Sequence, residues 1–196
     1  MIAPPDQHPA PWPLLTLDVS QLSAAGHKPL PFQQFILKVH SRCNLSCSYC
    51  YVYEMADQGW RRLPNRMSAE VTAAAIERIA AHAAKHDLSS VDVVLHGGEP
   101  LLAGADWLAE LVTALRARVP AQVNVVMQTN GTLLDAAMLQ VLKELRVGVG
   151  VSLDGDAEAT ARHRRYASGR NSFDAVTYCR TPTGVARRPV AATPTG

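Results

Sequence analysis

The chain has no surplus of charge of either sign: among its 196 residues, 19 Lys and Arg stand against 17 Asp and Glu, a net of +2. Such balance excludes a chain that works mainly as a basic nucleic-acid binder or an acidic tail. Arg180, Arg187 and Arg188 are the only charged residues after residue 176, so residues 1–176 carry 16 basic and 17 acidic side chains and are close to neutral. No apolar run approaches the ~18 residues of a membrane span, and no basic segment precedes an apolar one at the N-terminus. The expectations are therefore no membrane partner, no nucleic-acid partner and a cytoplasmic location. Aromatics are scarce at 6%, yet hydrophobic residues reach 47%, too many for a disordered chain and enough for a real core. Cysteine is sparse too. Of four, Cys43, Cys47 and Cys50 crowd into eight residues and Cys179 stands alone, which excludes a disulfide scaffold and suits a metal better than paired bridges.

Proline is nearly missing from the middle of the chain. Seven of the 13 prolines lie in residues 1–31 and three in 177–196, leaving only Pro64, Pro100 and Pro120 between. Residues 1–31 read as an extended Pro-rich leader that cannot sustain a helix or a central strand and that packs Trp12, Leu14 and Leu15 onto the domain. Residues 177–196 are rich in Thr, Pro and Arg, have no apolar periodicity, and read as unstructured.

Residues 32–176 alternate short β-branched runs with longer helical ones, the signature of an α/β domain with a parallel sheet. Strands are expected at 35–40, 91–96, 123–128 and 147–153. Ser68 caps a helix whose face carries Val71, Ala75, Ile79 and Ala83. Leu108, Leu111, Val112, Leu115 and Val119 form the stripe of a second, Asp135 caps a third with Met138, Leu142 and Leu145, and a fourth falls near 158–165. Four βα units in succession predict part of a (β/α) barrel.

A distinctive segment follows each strand: CNLSCSYC (43–50), GGEP (97–100), QTNG (128–131) and SLDG (152–155). In a parallel barrel all strand C-terminal ends open on one face, which holds the active site, so these segments should converge. Three closely spaced thiols select zinc, Cu(I) or an iron–sulfur cluster. A zinc site completed by His40, or by Cys179, is one reading; a [4Fe-4S] cluster with one iron left open is the other. Gly97 and Gly98 let backbone approach a ligand and Glu99 can accept from an ammonium, though alone the trio also reads as a βα turn. Ser152 and Asp154 taken singly read as a strand end and a turn.

Together these motifs resemble the radical S-adenosylmethionine (SAM) enzymes. CNLSCSYC has their C-x3-C-x-aromatic-C form, HGGEP the form of their glycine-rich methionine-binding motif, and the two occur in the right order after the right strands. The longer matches CNLSCSYCYVYE, LHGGEPLL, MQTNGTLL, VSLDG and HRRYASGRNSFDAV look like the subgroup that matures peptides and sulfatases and carries a C-terminal SPASM domain, and within it like the FxsB-type maturases that form cyclophane crosslinks. The resemblance implies that Cys43, Cys47 and Cys50 ligate three irons of a [4Fe-4S] cluster and that the fourth chelates the amino and carboxylate groups of SAM. It further implies that Tyr49 lies against the adenine, that Gly97, Gly98 and Glu99 hold the methionyl ammonium, and that Gln128 and Ser152 position the ribose or methionine. Asp154, and Arg165 for the cofactor carboxylate, are further candidates. The implied reaction is hydrogen abstraction from a ribosomal precursor peptide by a 5′-deoxyadenosyl radical, with a flavodoxin or ferredoxin as electron donor. Such cores have six βα units, so the four counted here, followed by an unrelated tail, read as a truncation by frameshift or early stop. A catalytically inactive remnant or binding module and a zinc-binding α/β module are the alternatives.

Overall fold

The computed structural model describes residues 18–28 and 30–177, and the chain divides into two units, Met1–Phe32 and Gln33–Gly196. In the first, Val19–Ala24 forms a short helix, α1, whose N-cap Asp18 accepts from the Gln21 N–H at 2.9 Å. Over Val19–Ala24 a helix stands where the prolines predicted extended chain. No proline lies between Pro13 and Pro29, and an Asp at the N-cap suffices to start a helix in that window. Trp12, Leu14, Leu15 and the tail from residue 178 on lie outside the described residues.

The second unit is a four-stranded parallel sheet in the order β1 (Gln34–His40), β2 (Ser90–Gly97), β3 (Gln122–Thr129), β4 (Val147–Val151). The helices are α2 (Ala69–Lys85), α3 (Ala105–Arg118), α4 (Ala136–Glu144), α5 (Ala157–His163) and α6 (Phe173–Thr177). The α/β class with successive βα units is as expected, and each helix linking two strands satisfies the crossover that parallel pairing demands. Ser68 and Asp135 cap α2 and α4 as read, accepting from Val71 N–H (3.2 Å) and Met138 N–H (2.8 Å). Two boundaries differ. β4 ends at Val151, so Ser152 and Asp154 lie beyond the strand, and the buried stripe of α2 is Ile76, Ile79, Ala80 and Ala83, with Val71 55% exposed.

Side chains alternate between the two faces along β2 and β3. Val93, Leu95, Val125 and Met127 pack into the core with Leu108, Leu111, Val112 and Leu115 of α3. The other face carries Ile36, Lys38, Asp92, Val94, His96, Asn124, Val126 and Gln128, exposed or half-exposed. Burying one face and leaving the other open is how a sheet forms a barrel wall. At the end of β1 the register slips: Lys38 pairs with His96 but His40 with Gly97, a bulge that turns the chain out of the sheet into the cysteine loop. No helix among the described residues is long and apolar enough to cross a membrane.

Candidate active site

Cys43, Cys47 and Cys50 are free and half-buried in the loop leaving β1, which Leu45, only 4% exposed, anchors from within. Cys43 receives two N–H groups at Sγ, from Leu45 N (3.4 Å) and Asn130 Nδ2 (3.6 Å). Burial pushes the Cys43 thiol up, the two donors pull it back, and the fields of Glu99 and Cys50 push it up further. Burial also raises Cys47 against the pull of the Arg164 guanidinium, with Cys43, Cys50 and Asp154 adding to the rise. The three thiols thus share one electrostatic environment.

The exit from β2 lies directly against this loop. Gly98 N–H donates to the His40 carbonyl (2.8 Å) and Glu99 N–H to that of Arg42 (2.9 Å). A Cβ on Gly98 would fall 1.9 Å from Tyr53 Oη and 2.4 Å from the Arg42 carbonyl oxygen. Gly97 has φ +151°, and a Cβ there would fall 2.3 Å from the His40 carbonyl oxygen. The glycines are therefore required for two backbone segments to touch, before any ligand is considered.

Glu99 is fully buried. Its Oε1 accepts from Leu101 N–H (3.0 Å) and Thr129 Oγ1–H (2.7 Å), and its Oε2 from Asn130 N–H (2.8 Å). Burial pushes this carboxyl up, and the same three hydrogen bonds, with Arg164, oppose the rise. A carboxylate offers about four acceptor positions, so protein donors fill all but one, on Oε2.

The remaining strand ends join the same network. At the exit of β3, Asn130 Nδ2 also donates to Asn44 Oδ1 (2.8 Å), and Asn44 Nδ2 to Thr132 Oγ1 (2.8 Å), clasping the cysteine loop. Gln128 Nε2 donates to Ser152 Oγ (2.8 Å), pairing the two residues expected to act together. The Tyr49 hydroxyl donates to Asp154 (2.7 Å to Oδ2) and accepts from Arg164 Nη1 (2.9 Å). Ser46 N–H and Ser48 N–H donate to the carbonyls of Arg165 and His163.

All nine expected site residues thus lie at strand ends or in the loop they surround. Arg165 does not join them, since its Nε donates to the Ala161 carbonyl on the exposed side of α5. Its neighbour Arg164, at the C-cap of α5, turns inward and is 8% exposed, with Nε buried and unpartnered among the described residues. Sequence reasoning saw a basic run at 162–165 but had no signal for which member the helix end would send inside. Asn130 was likewise visible only as part of a turn. The zinc reading fares poorly: His40 Nδ1 lies 3.2 Å from the Arg42 N–H and 3.0 Å from its carbonyl. Among the described residues, no three His, Cys, Asp or Glu side chains gather closely enough to hold a metal ion, so a closed set of thiols and His40 is not built. Cys179 is outside the described residues.

A parallel α/β sheet with a three-thiol loop and a Gly-Gly-Glu turn at adjacent strand ends defines a domain built for soft-metal and cofactor chemistry. The chain belongs to the Radical SAM superfamily, whose family model matches residues 37–181. Members of that superfamily use a [4Fe-4S] cluster and SAM. The chain is 30% identical over 148 residues to a cysteine-type anaerobic sulfatase-maturating enzyme of Clostridium perfringens, covering 74% of this chain and 39% of the relative. It is 32% identical over 164 residues to a serine-type anaerobic sulfatase-maturating enzyme of Klebsiella aerogenes, covering 79% and 37%. Solved structures of anSMEcpe with bound AdoMet, and with AdoMet and the Cp18Cys peptide, both superpose with a TM-score of 0.63 at 29% identity. They cover 74–75% of this chain and 38% of theirs, so the chain spans under two fifths of the length of these relatives.

Proposed function

We propose that the chain forms the cofactor-binding part of a radical SAM peptide maturase. The observation that carries this reading is the seam between the cysteine loop and the Gly-Gly-Glu exit, where His40–Gly98 and Arg42–Glu99 backbone bonds join the two segments and the Asn130 amide donates to Cys43 Sγ. A [4Fe-4S] cube sets each thiolate on a different iron, so its ligands need not meet at one point as zinc ligands must. The soft donor set and the two N–H groups at Cys43 Sγ fit such a cluster.

In this reading Cys43, Cys47 and Cys50 ligate three irons. With cluster and SAM bound, the chemistry supplied is one-electron cleavage of the sulfonium, yielding a 5′-deoxyadenosyl radical that takes a hydrogen atom from a peptide side chain. The protein's own contribution is placement. Arg164, buried with a free Nε–H, replaces Arg165 as the residue for the cofactor carboxylate. Glu99 acts mainly as the strut that fixes the Gly97–Gly98 backbone, with one Oε2 position left for the methionyl ammonium. Tyr49, fixed through Asp154 and Arg164, offers its ring to the adenine, and the Gln128–Ser152 pair faces the ribose or methionine. The relatives that modify sulfatases support a peptide substrate, and the extended motif matches support the SPASM-type subgroup and, within it, FxsB-like cyclophane formation on a ribosomal precursor. A flavodoxin or ferredoxin as electron donor and a cytoplasmic location complete the reading.

Anaerobic reconstitution with iron and sulfide should give a broad band at ~400 nm that Cys47→Ala abolishes. Dithionite and SAM should then yield 5′-deoxyadenosine. Stoichiometric zinc without iron overturns the reading, and a cluster that makes no 5′-deoxyadenosine turns the chain into a binding module.

A further inference from the structure

Beside the Gly97–Gly98 pair lies a cavity of about 580 Å³, within the usual size range of small-ligand sites. Its walls come from β1 (Lys38, His40) and from the segment after the third cysteine, including Tyr51, Val52, Trp60, Arg62 and Leu63. Arg42 makes this wall rigid: its guanidinium lies 5.0 Å from the Trp60 ring centroid, and it donates to the carbonyls of Trp60 (2.8 Å), Arg61 (3.3 Å) and Leu63 (3.2 Å). The cavity shares the Gly97–Gly98 wall with the cofactor cradle and has none of the three cysteines in its lining.

Its charge is unbalanced. Lys38 and Arg62 line it, and neither side chain has a hydrogen bond or ion pair among the described residues. The one carboxylate in the lining, Asp57, is committed to the Gly59 N–H (2.8 Å). On the same sheet face as Lys38, Asp92 accepts from Asn124 Nδ2 (3.0 Å). Neighbouring Arg42 donates to three backbone carbonyls, and Arg61 Nε donates to Gln58 Oε1 (3.0 Å). With two cations against one carboxylate, the described lining is net positive, and beside Trp60, Tyr51, Val52 and Leu63 it matches an acidic group next to an apolar one.

We propose that this cavity is a specificity pocket for the peptide substrate, taking a Glu or Asp side chain onto Lys38 and Arg62 and an apolar neighbour against Trp60. The proposal rests on the reading of the chain as a peptide maturase and adds which peptides it selects. The test is calorimetry on the full chain with an acetylated, amidated pentapeptide bearing a central Phe–Glu pair and with its Phe–Gln twin. The Glu peptide should bind about tenfold more tightly, the equivalent of ~1.4 kcal/mol. Lys38→Met with Arg62→Gln should reduce the preference to about twofold or less, while Lys38→Arg, which keeps the charge, should retain most of it. Equal affinities, no binding of either peptide, or a preference that survives the double variant overturns the proposal. Cluster absorbance in the same preparation tests the maturase reading separately, because loss of the cluster with the Glu preference intact sinks that reading and not the pocket.

Discussion

Glu99 is the residue on which the site's geometry turns. An ionised carboxylate with no solvent exposure costs several kcal/mol unless donors replace its water, and Leu101, Thr129 and Asn130 supply three. They offset burial only in part, since the carboxyl is still held above its ordinary value of 4.5. The sign follows from linkage: a carboxyl with a raised folded pKa binds its proton more readily folded than unfolded, so it stabilises the fold as pH falls from the raised value toward 4.5 and loses that contribution as pH rises. Glu99→Gln cannot titrate and sets an NH2 against N–H donors, so it should cost about 1–3 kcal/mol at neutral pH. Urea unfolding across pH should show the gap to wild type widening as pH falls through that window, and a constant or narrowing gap would refute the assignment. Which residues meet here was legible in sequence for Cys43, Cys47, Cys50, Gly97, Gly98 and Glu99, because they form two compact motifs, each directly after a strand. It was not legible for Arg164 or Asn130. Their roles depend on where a helix ends and how a turn folds back, and neither leaves a periodic trace.

Among the elements, α3 shows what periodicity can fix and α2 where it misleads. The stripe Leu108, Leu111, Val112 and Leu115 is the buried face of α3 as read, with Leu115 wholly inaccessible. In α2 the spacing of Val71, Ala75, Ile79 and Ala83 was equally regular, but at 3.6 residues per turn a strict i+4 ladder drifts around the helix by about 40° per step, so its first member leaves the buried face. The face that meets the sheet is rotated to include Ile76 and Ala80 and to leave Val71 exposed. Leu115→Ala should therefore cost roughly 3 kcal/mol through lost burial and a cavity. Val71→Ala should change stability by no more than about 0.5 kcal/mol although it belongs to the sequence-derived stripe. Urea midpoints of the two variants decide it, and comparable losses would mean that α2 packs by the sequence-derived face. Strand positions were easier to read because β-branched runs bounded by Gly and Pro have few alternatives. The β4 boundary slipped because Ser152 and Leu153 continue the apolar alternation after Val151 pairs with Thr129 for the last time.

For the molecule as a whole, the two edges of the sheet differ. The end of β1 is covered by the chain itself: Met67 N–H donates to the Val39 carbonyl, Ser41 N–H to that of Asn65, and His40 bridges Arg66. β4 pairs with β3 alone, and no other described strand pairs with it. Val149 and Val151 on that strand are 37% and 44% exposed, and Val126 on the neighbouring strand is 40% exposed. An unpaired edge flanked by apolar side chains is a template for another strand. In relatives of which the chain covers under two fifths, further sequence is available to occupy such a position. A second copy of the chain can pair with such an edge, so association should rise with concentration in light scattering coupled to size exclusion. Val151→Lys, which puts a charge on the half-exposed edge outside the cysteine loop, should shift the chain toward monomer while the cluster band after reconstitution stays unchanged. A wild-type chain that remains monomeric across the concentration series, or a lysine variant that associates equally, would show that this edge is protected in solution and that the sheet is closed by means other than a fifth strand.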